Sequence, residues 1–136
     1  MLALLMLKFT KSGRKSIKLD RQGNSLFLPM KIGNVILKFL VDTGASTMVI
    51  FSSSYSKISD NYHYTKSISI MIADGQEKIC PVIDFTYCNG KTYNTEIAIM
   101  EDSGTKSYDG LVGMELLEKM KASIDIERNI MYIEDE

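Results

Sequence analysis

The sequence predicts an all-β domain, a sandwich or barrel, with one short helix near its C-terminal end. Three observations lead there. Apolar and β-branched residues come in many short runs rather than long helical stripes. Turn pairs separate those runs at hairpin spacing: Gly33-Asn34, Asp74-Gly75 and Asn89-Gly90. Only MELLEKMK, residues 114–121, repeats its apolar side chains with a helical period.

The elements follow in order. SLFLPMKI, residues 25–32, mixes apolar and polar positions and stops at Gly33-Asn34, a tight hairpin turn. VILKFLV, residues 35–41, returns as a nearly unbroken apolar strand, the pattern of a buried one. MVIF, residues 48–51, is a further short strand. Residues 52–66 are rich in Ser, Tyr, Lys and Asn and read as a loop or irregular helix. ISIMI, residues 68–72, and the run at 78–87 form a hairpin around Asp74-Gly75. Pro81 marks an edge or a bulge there, because it has no N–H to give a ladder. YNTEIAIM, residues 93–100, answers across Asn89-Gly90. In the helix, Met114, Leu117 and Met120 form the stripe expected to pack on the core, with Leu116 beside it. Two strands, at 123–126 and 130–133, flank Glu127-Arg128-Asn129, for a total of about nine strands.

The chain has 136 residues, enough for one domain and little more. Hydrophobic residues make up 45% and charged residues 24%, a composition able to bury one core. A net charge of −1 provides no field for nucleic acid or an anionic membrane, so neither is an expected partner. Lys8, Lys11, Arg14, Lys15, Lys18 and Arg21 crowd one end, and the chain closes on Glu134-Asp135-Glu136; both read as solvated segments. MLALLML, residues 1–7, is far short of the ~20 apolar residues that span a bilayer. It has no basic residues before it and no Ala-x-Ala site after it, so a structural role is expected rather than a signal peptide. Residues 1–24 are assigned to an N-terminal extension, partly ordered, and 25–136 to the domain proper.

Cys80 and Cys88 on one extended strand would lie about 26 Å apart, beyond the ~7 Å that a disulfide bridges. Free thiols are expected unless the strand bends, which leans towards a reducing compartment such as the cytoplasm. His63 has no Cys or His at ligand spacing, so no metal is expected. Gly33, Gly110 and Gly113 do not form a phosphate-cradling G-x-G-x-x-G.

The chemistry concentrates in FLVDTGAST, residues 39–47. A buried strand ends on Asp42, and Gly44 lets the backbone turn with no Cβ in the way. Two readings stand: a carboxylate on a loop tip held by a rigid scaffold, or an Asx turn in which Asp42 only caps its own loop. Ser46 and Thr47 follow, but no histidine is placed to activate a serine-type nucleophile. Asp74 and Asp109 sit beside glycines and read as turn residues.

FLVDTGAST resembles the active-site loop of aspartic proteases of the retroviral type. The resemblance runs from about residue 25 to 133 and has three anchors in order: VDTGAS at 41–46, the hairpin of Ala73, Asp74, Gly75 and Gln76, and GLVGMELL at 110–117. The hairpin resembles the family's flap, and GLVGMELL resembles the hydrophobic-hydrophobic-Gly element before its single C-terminal helix. The chain is more similar to a cellular or prokaryotic single-domain relative than to a viral polyprotein product.

The resemblance implies a retropepsin-like closed β-barrel with a flap hairpin, and an endopeptidase that needs no cofactor. Such enzymes hold a water between two aspartates, one ionised and one protonated, because two carboxylates in contact cannot both ionise cheaply. This chain carries one Asp-Thr-Gly, so the implied assembly is a homodimer with an Asp42 from each copy at the two-fold axis. By resemblance Thr43 braces the two loops across the axis, and Gly44 with the backbone near Ala45 keeps the carboxylates close to coplanar. Ala73, Asp74, Gly75 and Gln76 close over an extended peptide or protein substrate that pairs as an added strand. The alternative function is a non-catalytic dimerisation or peptide-binding domain of the same fold.

Overall fold

The computed structural model describes residues 14–72, 74–89, 91–102 and 106–134. MLALLML at residues 1–7, Ala73 at the hairpin tip and Gly90 of the second turn lie outside them.

Eleven strands and two short helices fill this range, against the nine strands and one helix read from the sequence. The order is β1 (Arg14–Lys18), β2 (Asp20–Gln22), β3 (Ser25–Ile32), β4 (Val35–Val41), β5 (Met48–Phe51), α1 (Ser52–Tyr55), β6 (Lys66–Met71), β7 (Glu77–Asn89), β8 (Lys91–Met100), β9 (Gly110–Val112), α2 (Met114–Lys119), β10 (Ser123–Asp125) and β11 (Ile130–Glu134). An eight-stranded sheet runs β2-β3-β4-β9-β5-β8-β7-β6, and a three-stranded one runs β1-β11-β10. The fold is all-β.

The segment placed in the N-terminal extension contributes two of these strands from residue 14 onward. β1 pairs antiparallel with β11, Arg14 opposite Glu134, and β2 pairs with β3. The Arg14 guanidinium donates to the carbonyls of Lys121 and Tyr132 and to Ser123 Oγ, tying β1 to β10 and β11. Cys80 and Cys88 stand on the single strand β7 and are not bridged. Among the described residues no helix is long and apolar enough to cross a membrane.

Register and alternation divide the large sheet into two faces. On one, Leu37 and Phe39 of β4, Ile50 of β5 and Ile97 of β8 are at most 1% exposed and pack with Met120 and Met131 in the main core. On the other, a smaller cluster of Val49, Phe51, Cys80, Val82 and Ala98 has Leu111 and Ile68 half-buried against it. Opposed residues share a face, so one row can be traced strand by strand: Leu40 faces Leu111, Leu111 faces Val49, Val49 faces Ala98 and Ala98 faces Val82. The alternation on β4 that places Lys38 and Leu40 on this second face continues, one step past the strand, to Asp42.

Candidate active site

Asp42 emerges where β4 ends, and backbone bonds determine where that happens. β4 and β9 run parallel with Val41 opposite Val112. The Asp42 N–H donates to the Val112 carbonyl at 3.0 Å, one last rung of that ladder. The chain then turns: the Ala45 N–H donates back to the Asp42 carbonyl at 3.1 Å and the Gly44 N–H to Asp42 Oδ1 at 3.0 Å. One carboxylate oxygen therefore takes part in an Asx-type turn, while the residue stays half-buried. The carboxylate at a loop tip and the Asx turn are thus one arrangement, for the turn orients the acid.

The far side of the loop is fastened to α2. The Met114 N–H donates to the Ala45 carbonyl at 2.8 Å and the Glu115 N–H to the Ser46 carbonyl at 3.0 Å. The first turn of a helix has N–H groups without partners inside it, and the loop supplies two acceptors. Such close approach leaves no room for side chains at the crossing. A Cβ on Gly113 would stand 2.6 Å from the Ala45 carbonyl oxygen, and one on Gly110 1.9 Å from that of Val49. Gly113 thus lets the start of α2 lie against the acid's loop, and Gly110 lets β9 lie against β5.

Thr43 and Gly44 are exposed and Ala45 is half-buried. Thr43 stands at the lip of a hollow of ≈ 410 Å³ floored by Met114, Leu117, Ala122 and Ile124, with Glu118 and Lys121 at its edge.

The hairpin of β6 and β7 carries the other predicted residues. Met71 is opposite Glu77, the Ile72 N–H donates to the Gln76 carbonyl at 2.8 Å and the Gly75 N–H to the Ile72 carbonyl at 2.9 Å. Asp74 Oδ1 accepts from the Gln76 N–H at 2.9 Å, the local turn bond expected of it. Gly75 has φ +88, a conformation that strains any residue with a Cβ. Beyond the turn both strands are solvent-facing, with Met71 and Ile79 largely exposed. Farther down, Ile68 and Cys80 face each other on the Asp42 side of the sheet. Burial pushes the Cys80 thiol up, so it serves there as an apolar side chain.

Asp109 braces the strands beside Asp42, a role that its sequence neighbours do not reveal. Its Oδ2 accepts from the Lys38 N–H and its Oδ1 from Ser54 Oγ, both at 2.7 Å, with Lys57 Nζ 4.0 Å away. Its N–H donates to the Lys38 carbonyl at 2.7 Å, and its own carbonyl accepts from the Phe51 N–H at 2.9 Å. One residue thus joins β4, β5 and α1 immediately before β9, and sets the β4–β9 register on which Asp42 hangs. Partners 71 and 55 residues away give no local signal in the sequence. Among the described residues no group of three or more His, Cys, Asp or Glu is arranged to hold a metal ion.

No protein-family model matches the sequence, and no curated protein matches it either. Solved structures do. The chain is similar to a retropepsin-like aspartic protease from Rickettsia conorii, with a TM-score of 0.58 at 22% identity over 88% of this chain and 90% of that one. It is also similar to the retroviral protease-like domain of Ddi1 from Leishmania major, with a TM-score of 0.58 at 17% identity over 84% of this chain and 89% of that one.

Proposed function

We propose, with the retropepsin-like fold of this chain as the premise, that it is an aspartic endopeptidase working as a homodimer. The observation that carries this reading is the Asp42-Thr43-Gly44 loop at the end of β4, hung from Val112 and seated on α2. A single carboxylate cannot act as base and acid in the same step. A second copy related by a two-fold axis supplies the other. The apolar hollow beside Thr43 supports this, being a surface that a second copy would cover.

In the assembled site one Asp42 is ionised and takes the proton of a water, which attacks the peptide carbonyl. The other Asp42 is protonated and donates to the carbonyl oxygen as it gains charge. The shared proton follows from mutual repulsion of two carboxylates in contact. The Gly44 N–H bond to Oδ1 holds each carboxylate in orientation, so little reorganisation is needed when charge shifts. The hairpin of Asp74, Gly75 and Gln76, with Ala73, covers an extended substrate and excludes water.

The test is incubation with a mixed peptide pool from about pH 3 to pH 7, for the parent and for Asp42→Asn. The expected result is cleavage by the parent and a loss of at least ~100-fold in the variant, since a neutral amide cannot act as the base. Asp42→Asn should melt within a few degrees of the parent. Equal cleavage by both proteins, or none at any pH, would overturn the reading, and peptide binding without cleavage would leave the non-catalytic alternative.

A further inference from the structure

Two lysines that this chemistry leaves unused stand on the Asp42 face of the sheet. Lys38 is on β4, two same-face positions before Asp42, or about 13 Å along the strand. Its Nζ lies 5.0 Å from the centre of the Phe27 ring. Lys106 approaches from the loop before β9, with Nζ 5.4 Å from the Phe51 ring and 5.8 Å from that of Tyr108. Tyr108 lies between the other two rings, 5.5 Å from Phe27 and 5.7 Å from Phe51. Three aromatic rings from β3, β5 and the loop therefore form one floor, flanked by an ammonium on each side.

The ammonium groups are held but not neutralised. Among the described residues, the ion pairs involve Lys57, Lys66, Lys91, Lys121 and Arg128, and neither Lys38 nor Lys106 has a carboxylate within pairing distance. The nearby Asp109 carboxylate is already taken by the Lys38 backbone N–H, Ser54 and Lys57. A ring face orients a cation without cancelling its charge. Two such cations over an apolar floor suit a ligand that is apolar near Asp42 and anionic at the far end.

We propose that Lys38 and Lys106 are specificity-determining residues that select an extended peptide with an Asp or Glu about four residues from the scissile bond. This rests on the protease reading for the position of that bond. The distance follows from the strand: 13 Å along β4 equals about four residues of extended peptide. The aromatic floor takes the side chains between. In a two-fold dimer each copy presents its own pair of lysines, so acidic residues are selected on both sides of the cleaved bond.

The test uses the full chain and three fluorescent peptides with an apolar centre, differing only in Asp, Lys or neutral Gln at the fourth positions from the centre. Dissociation constants are measured on the Asp42→Asn protein, where cleavage cannot interfere, and kcat/KM on the parent. The Asp peptide should bind about tenfold tighter at low salt, since an exposed pair contributes up to ~fivefold and two act together. Raising the salt should shrink that ratio. K38Q/K106Q should bring it close to one while binding a neutral peptide as before, and K38E/K106E should invert it. Charge preference that persists in K38Q/K106Q, or no preference in the parent, overturns the assignment even if the neutral peptide is cleaved. A lysine-dependent preference without cleavage upholds the recognition site and overturns the protease reading. No binding and no cleavage overturn both.

Discussion

Asp74 and Asp109 both stand beside glycines in turn-like stretches, but their surroundings separate them. Asp74 bonds a backbone N–H two residues on, a local turn bond that costs the chain little to lose. Asp109 holds the Lys38 N–H and the hydroxyl of Ser54, which is 5% exposed. Removing that carboxylate strands two donors that water reaches poorly. Asp109→Ala should therefore cost about 2 to 4 kcal/mol, read as a lower urea midpoint, with Asp109→Asn less severe because one acceptor oxygen remains. Asp74→Ala should shift the midpoint by no more than about 0.5 kcal/mol, as surface changes usually do.

The helix α2 shows how an element's ends escape a periodicity argument. The apolar stripe extends it to residue 121, yet it stops at Lys119. Lys121 has φ +52, the Ala122 N–H donates to the Leu117 carbonyl at 2.9 Å, and the Lys121 N–H to the Glu118 carbonyl at 3.0 Å. This is a helix end closed by a left-handed residue, a position usually filled by glycine. A lysine gives no hint of it. Lys121→Gly should raise stability by about 0.5 to 1 kcal/mol, because relief of the left-handed strain outweighs an exposed ion pair to Glu134. A denaturant midpoint that falls instead would contradict this. The buried face also differs from the predicted stripe: Leu116, Leu117 and Met120 are buried, while Met114 is half-buried where the Asp42 loop crosses. Similarly, β7 runs past its predicted limits at both ends to Glu77–Asn89, since ladder partners on β6 and β8 extend it where its own residues are polar.

At the scale of the molecule, β11 joins segments far apart in sequence, with β1 on one side and β10 on the other. Glu134 of β11 accepts from Lys91 of β8 and pairs with Lys121 after α2. Those bonds, to Lys91 first and then Lys121, hold its carboxyl below the usual range. A carboxyl lowered on folding stabilises the native state above its unfolded pKa, and that contribution disappears as pH falls through the folded value. Glu134→Gln should thus melt below the parent near pH 7 and converge with it as the pH falls through and below the folded carboxyl's lowered range. Dimerisation adds a prediction of its own. If two Asp42 residues form the site, specific activity should fall on dilution through the dimer dissociation constant and recover on concentration. Activity independent of concentration, in a protein that sediments as a monomer, would rule out the shared site.

The sequence by itself determined what nearest neighbours decide. Alternating apolar residues specify strands, glycine-bearing pairs specify the hairpins, and a buried run that stops at Asp42-Thr43-Gly44 marks where chemistry would be. Each of these signals is local, because side-chain alternation and turn conformation depend on residues within a few positions. Tertiary structure alone decided that Asp109 braces β4, that Gly113 makes room for the acid's loop and Gly110 for β5, and that Lys38 and Lys106 share a face with Asp42. Those facts depend on strand register between segments tens of residues apart, and register is set by how the whole sheet packs, which no short stretch of the chain encodes.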